Sequence, residues 1–300
     1  MVGAGRMGTS LARALARRGW DLAVIADRDP AAAREARRIV GRGRATADMR
    51  RAAARGAGVV FVCVPDDALA GVAQRLARAG GDWAGRTVFH TSGLLSSAAL
   101  EPLRRRGASV ASLHPVQSFP ARTGRPRLFR GIVWSVEGDA GTVRLGAAIA
   151  RGLGGRAVRL SAEAKPLYHA ACSVASNFLV ALEAAGAGLL ADAGFDRRAA
   201  TRALLPLVQG TLQNVKELGW ARALTGPVAR GDVRTVRRHL QALAGRPLAG
   251  EIYRALAKQA LTLVDPRRVP AKKVRALRRS LGGRRPPLPG ARRTSRRPAP

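Results

Sequence analysis

Three glycines open the chain at a spacing that few folds use. Gly3, Gly5 and Gly8 form a G-x-G-x-x-G within Met-Val-Gly-Ala-Gly-Arg-Met-Gly. Thr9 to Arg18 then reads as a helix, with Leu11, Ala12, Leu15 and Ala16 on one face and Gly19 at its end. Asp21 to Ala26 is a short apolar strand that stops at Asp27. In a dinucleotide-binding unit such a loop lets backbone approach a pyrophosphate at a helix N-terminus, and an acid about 20 residues on reads the ribose. The spacing therefore assigns Gly3, Ala4, Gly5, Arg6, Met7, Gly8, Asp27 and Arg28 to a nucleotide. Asp27 suits the free 2′-hydroxyl of NAD, and Arg28 suits the 2′-phosphate of NADP.

Only Met1 and Val2 precede Gly3, where a buried strand of about five residues is expected. The central strand should be nearly absent, and a chain extended by apolar residues should be more stable. Further on, strands are expected at Gly58 to Val64, Arg86 to His90, Ala108 to Leu113, Gly131 to Val136 and Ala157 to Leu160. Helices alternate with them at Pro30 to Ile39, Ala47 to Ala54, Pro65 to about Ala79 and Ala140 to Gly152. This pattern predicts an α/β fold, a parallel sheet covered on both faces. Ligands sit beyond the carboxyl ends of such strands. Five polar clusters fall there: Gly3 to Gly8, Asp27-Arg28, Val64-Pro65-Asp66, His90-Thr91-Ser92-Gly93 and His114 to Ser118.

After Ser161 the pattern becomes helical: one long helix from Glu163 to about Ala191, then helices at Ala199 to Leu218, Val233 to Ala244 and Leu248 to Leu263. The expected domains are 1–160 for the nucleotide, 161–265 for substrate and dimerisation, and 266–300 as a disordered basic tail. That tail holds 13 basic residues and no acid. The net charge of +34 invites a nucleic-acid reading, but only five of 53 basic residues are lysines, a bias expected of GC-rich coding. RNA contact by the tail stays secondary. Cys63 and Cys172 suggest neither a disulfide framework nor a metal site. No apolar run approaching the ~20 residues of a membrane span stands out, and a cytoplasmic protein without membrane contact is expected.

Lys165, His169, Ser173 and Asn177 recur every four residues and should share one helix face toward a cleft. His114 ends a buried strand and is held extended by Pro115. A histidine there can pass a proton to a carbonyl oxygen as hydride arrives. Lys165 can do the same, or polarise the carbonyl. Thr91, Ser92, Gly93 and Ser118 offer hydroxyl and N–H groups to a substrate carboxylate.

Gly-Ala-Gly-Arg-Met-Gly, His90-Thr-Ser-Gly93, Leu113-His-Pro-Val-Gln-Ser-Phe119, Lys165-x-x-Tyr168-His-Ala-Ala171 with Asn177, and Leu224-Thr-Gly-Pro-Val-Ala-Arg-Gly-Asp232 together resemble one family. It is the Rossmann-like proteins with a C-terminal helical domain of unknown function, in the superfamily of 6-phosphogluconate and β-hydroxyacid dehydrogenases. The resemblance implies an NAD(P)-dependent oxidoreductase of a small oxo or hydroxy acid, with NADP ahead of NAD. It implies catalytic roles for Lys165 and His114, with His169 standing where relatives carry Asn. Ser92 and His114-Pro115 resemble a pair near substrate in prephenate dehydrogenases. Some members are thought to reduce 2-dehydropantoate. The alternatives are an imine reductase like pyrroline-5-carboxylate reductase, a prephenate dehydrogenase-like enzyme and a non-enzymatic nucleotide sensor. A homodimer through the helical domain is expected.

Overall fold

The computed structural model describes residues 1–53, 57–121 and 126–282. They fall into two compact units, Met1–Leu179 and Val180–Pro300. In the first, α1 (Arg6–Arg17) leads to β1 (Val24–Ala26), α2 (Pro30–Val40), β2 (Arg44–Thr46), α3 (Met49–Ala53), β3 (Val59–Val62) and α4 (Asp66–Arg78). Then come β4 (Thr87–His90), α5 (Glu101–Arg104), β5 (Ser109–Pro115), β6 (Val133–Gly138), α6 (Ala140–Gly152) and β7 (Arg156–Arg159). The expected end of α3 at Ala54 lies outside the described residues.

The sheet comes in two parts, β2-β1 and β3-β4-β5-β6-β7. Every pairing is parallel except β5 with β6, whose connection carries a short 3₁₀ turn, Pro126–Phe129, and no crossover helix among its described residues. Val2 alone stands between the parts, bridged to Ala26 on one side and Val62 on the other. Its N–H donates to Phe61 O at 2.8 Å, and Cys63 N donates back to Val2 O at 2.7 Å. Gly3 N reaches Ala26 O at 2.7 Å. The sparse central strand expected from Met1-Val2 is thus one residue of ladder. Below it a cavity of about 290 Å³ opens between β1 and β3, lined by Met1, Leu22, Val24, Val59 and Phe61.

Local chemistry explains the elements. Asp29 caps α2 by accepting Ala31 N at 2.8 Å, with Pro30 at the first helical position. Val60, Phe61 and Val62 are buried, as are Val88, Phe89 and His90 beside them, as befits strands covered on both faces. Phe61 and Phe89 stack at 5.4 Å between ring centres.

α7 (Lys165–Cys172) follows, then a π turn at Ser173–Asn177 and α8 (Phe178–Asp192). The single long helix expected here is continuous but carries this five-residue π stretch. It also corrects the reading of membrane-length runs: Lys165–Asp192 is 28 residues with a stretch of mean hydropathy 1.6, enough by length and composition to cross a membrane. Scattered Lys165, His169 and Glu183 hid it. The unit division at Leu179 places α7 and its π turn with the sheet, later than the expected boundary at 160.

The second unit continues with α9 (Arg197–Leu218), α10 (Trp220–Ala223), α11 (Gly226–Ala229), α12 (Val233–Ala242), α13 (Pro247–Leu261) and α14 (Ala271–Gly282). Asp232 caps α12, accepting from Thr235 N at 3.0 Å. A small core joins Val228, Val236, Ala257, Leu261, Leu277 and Leu281. The last two correct the tail: residues 271–282 are a packed amphipathic helix, because Val274, Leu277 and Leu281 recur at helical spacing among the cations. The rest of the expected tail, residues 283–300, lies outside the described residues.

Candidate active site

The carboxyl ends of β1, β3, β4 and β5 share one edge of the sheet, and the glycine loop joins them there. Gly3 has φ of +93°, and a Cβ on it would lie 2.3 Å from Cys63 O. A Cβ on Gly8 would lie 2.1 Å from Gly3 O. Both positions therefore need glycine. Gly5 meets nothing within 4 Å, so its side of the turn is open to a ligand. The first intrahelical bond of α1 is Thr9 N to Gly5 O, which leaves the N–H groups of Arg6, Met7 and Gly8 facing the loop's mouth. These features fit a pyrophosphate.

Asp27 is tied into this turn. Its Oδ2 accepts Ala4 N at 2.7 Å and its Oδ1 accepts Asp29 N at 3.0 Å. Arg28 beside it is exposed. Val64 and Pro65 lead into α4, and Asp66 opens that helix.

Across the edge, β4 ends in a loop fastened from several sides. The buried His90 accepts Ser92 N on Nδ1 at 3.2 Å and faces Ser96 O with Nε2 at 3.0 Å. Ser92 Oγ accepts Leu94 N and Leu95 N at 3.1 and 2.9 Å. The buried Glu137 accepts Ser97 N at 2.7 Å and Ser97 Oγ at 2.8 Å. Under the loop, Ser112 Oγ donates to Ser92 O at 3.0 Å. Lys165 Nζ donates to Ser112 Oγ at 2.7 Å and to Ser92 O at 3.2 Å. Lys165 is only 1% exposed. Burial pulls its pKa down to about 8, against the pull of the Glu137 and Asp66 charges.

His114 lies above Ser112 on the same face of β5, since side chains two apart on a strand share a face. Its Nδ1 is 2.7 Å from the Tyr168 hydroxyl. Burial, with help from the Lys165 and His169 charges, lowers its pKa to about 4, so the imidazole is neutral at physiological pH. Burial raises Tyr168 to about 12 with Cys172 adding to it, while the Ser135 hydroxyl pulls the other way. Tyr168 therefore keeps its proton and can donate it to an unprotonated Nδ1; in that tautomer the hydrogen of His114 lies on Nε2. The His169 ring stands edge-on to His114 at 6.2 Å. Gly93 fits between the two rings: a Cβ on it would lie 2.7 Å from His169 Cδ2 and 3.1 Å from His114 Nε2.

The structure thus gathers Ser92, Gly93, His114, Lys165 and His169. Thr91 joins the loop through its N–H to Val62 O at 3.3 Å. Ser118 is exposed, its N–H turned onto Gln117 Oε1 at 2.8 Å, and Asn177 is exposed at the end of the π turn. Neither touches the cluster among the described contacts. Sequence reasoning passed over Ser112 and Glu137, and gave His90 and Tyr168 no role of their own. Tyr168 stands in the quoted Lys165-x-x-Tyr168-His run, and helical spacing from Lys165 was the signal that could have found it. Ser112 shares the strand face of His114, which period-two alternation could have marked.

No curated protein matches the chain. Among solved structures it is similar to an NADP oxidoreductase candidate from Bacteroides fragilis, at 25% identity over 87% of this chain and 96% of that one, with a TM-score of 0.69. It is equally similar to protein TM1727 from Thermotoga maritima, at 27% identity over 89% and 98%, TM-score 0.69. A reductive aminase from Aspergillus terreus shares the fold at 16% identity, over 89% and 98%, TM-score 0.60. A Rossmann-like domain model matches residues 1–115, and the model of a domain of unknown function, DUF2520, matches residues 132–260. The chain belongs to the Rossmann-like proteins that carry a DUF2520 domain.

Proposed function

We propose that this protein is an NADP-dependent oxidoreductase that reduces a small oxo acid, with His114 and Tyr168 as its proton-delivering pair. The observation that carries the reading is the 2.7 Å contact between His114 Nδ1 and the Tyr168 hydroxyl, on the sheet edge that also holds the glycine loop. The NADP oxidoreductase candidate from Bacteroides fragilis supports the cofactor and reaction class. Asp27 is held in the glycine turn by two backbone N–H groups and keeps lone pairs for a ribose hydroxyl. Arg28 is left to meet a 2′-phosphate.

Bound NADPH supplies the hydride. His114 gives its Nε2 proton to the substrate oxygen, while Nδ1 takes the proton of Tyr168, which regains one from solvent. Ser92 and Gly93 shape the pocket floor. Lys165, buried under Ser92, holds that floor instead of touching substrate. A second copy of the chain covers exposed Leu205, Leu207, Leu212 and Leu218 on α9, whose apolar side chains suit a homodimer.

The test follows NADPH oxidation with 2-dehydropantoate, other 2-oxo acids, aldehydes and cyclic imines, and NADP reduction with prephenate. Turnover of one oxo acid that drops with His114→Ala, while NADPH affinity holds, supports the reading. Tight NADPH binding with no turnover of any compound would instead favour a nucleotide sensor.

A further inference from the structure

Gly93 is buried, yet its backbone N–H finds no acceptor among the described residues. Buried N–H groups are almost always paired, because an unpaired one forfeits its hydrogen bond to water. The neighbouring carbonyl shows where it points. Ser92 O is drawn inward by two donors, Ser112 Oγ at 3.0 Å and Lys165 Nζ at 3.2 Å. A trans peptide sets C=O and the following N–H in opposite directions. The Gly93 N–H is therefore turned away from Ser112 and Lys165. The residue carrying it is packed between the rings of His114 and His169.

We propose that the Gly93 N–H is a second donor, beside His114 Nε2, to the reacting oxygen of a carbonyl substrate, and that Lys165 is the positioning residue that aims it. The proposal rests on the oxidoreductase reading and names its substrate class. A carbonyl oxygen has two lone pairs and accepts both donors. An imine nitrogen has one lone pair, and a protonated iminium has none, so two converging donors select C=O over C=N. As hydride reaches the carbon, the C=O π pair moves onto oxygen. The Gly93 N–H stabilises the growing charge, and the His114 proton completes the hydroxyl. The Lys165 ammonium, bonded to Ser92 O, polarises the same peptide and strengthens its N–H as a donor.

The experiment measures NADPH consumption with 2-dehydropantoate, pyruvate and 1-pyrroline, for the wild-type chain, Lys165→Met and Ser112→Ala. The wild type should consume an oxo acid at least ~10²-fold faster than 1-pyrroline, the scale of one oxyanion donor. Lys165→Met should lower kcat ~10²-fold and leave the KM for NADPH unchanged; Ser112→Ala should lower it less, in the same pattern. If Lys165→Met fails to fold, Ser112→Ala alone decides the matter. Folded variants with wild-type kcat overturn the aiming role, and faster turnover of 1-pyrroline overturns the carbonyl anchor while the oxidoreductase reading survives. No turnover of any of the three removes the reading and the anchor together.

Discussion

Asp27 Oδ2 holds Ala4 N at 2.7 Å, so the acid that ends β1 is built into the glycine turn. Its other oxygen holds Asp29 N. Arg28 beside it is exposed and would carry the contact to a 2′-phosphate. Arg28→Ala should weaken NADPH ~10-fold or more, about 1.4 kcal/mol, and leave NADH unaffected. Titrating cofactor fluorescence checks it, and equal losses for both cofactors would count against a 2′-phosphate contact.

Tyr168→Phe removes the hydroxyl that meets His114 Nδ1 and keeps the ring. The imidazole is then free to place its hydrogen on either nitrogen. A fall in kcat of ~10²-fold with unchanged KM for NADPH is expected, in the usual range for an impaired acid. Steady-state kinetics on whichever oxo acid is turned over will show it, and unchanged kcat would remove Tyr168 from the proton path.

Gly93→Ala places a methyl 2.7 Å from His169 Cδ2 and 3.1 Å from His114. Overpacking of this kind costs ~1–3 kcal/mol. His169→Ala in the same chain makes room, so the double variant should melt above Gly93→Ala alone. Calorimetry reads both, and additive losses would show that the two residues do not press on each other.

His90 and His114 have their pKa values lowered by burial to about 3 and about 4, from 6.5. Between those values and 6.5 the unfolded chain binds more protons than the folded one. Stability therefore falls as pH falls through this window, by up to ~1.4 kcal/mol per unit for each histidine. Melting temperature should drop between pH 6.5 and 4.5, and His90→Gln should flatten the slope there if it folds. An unchanged slope would mean that His90 is not the group taking up protons.

The cavity of about 290 Å³ between β1 and β3 is lined by Met1, Leu22, Val24, Val59 and Phe61, with Asp21 and Arg51 also at its wall. Adding four strand-forming residues such as Val-Ile-Val-Ile ahead of Met1 should fill it. Each buried side chain contributes ~1.5–3 kcal/mol, against ~1–2 kcal/mol for ordering each residue. A melting temperature raised by several degrees is the expected outcome; no rise would mean that the added residues stay outside the sheet.

The alternation of strands and helices was legible because each buried strand, such as Val59–Val62, is a continuous apolar run that stops at a turn residue. The glycine loop was legible because only glycine fits at Gly3 and Gly8. Lys165 was found by spacing, but its burial was not foreseen: sequence places it on the face of His169 and cannot say that Ser112 waits beneath it. Ser118 and Asn177 were chosen for their chemistry near the right edge, yet a polar side chain in a loop or on an exposed helix face can face solvent at no cost. α14 was missed because its cations outnumber Val274, Leu277 and Leu281, whose helical spacing decides its fold.

Among the described residues, Val2 is the one bridge between the β2-β1 pair and the other five strands. With so few hydrogen bonds across that seam, the first two strands and α2 should open as a separate cooperative block, exchanging their amide hydrogens before the rest of the sheet. A dinucleotide gripped by Asp27 and Arg28 on one side and by the β3 and β4 ends on the other would lie across the seam. Its binding would weld the blocks, so that slowed exchange in β1 and β2 reports cofactor occupancy before any reaction is known.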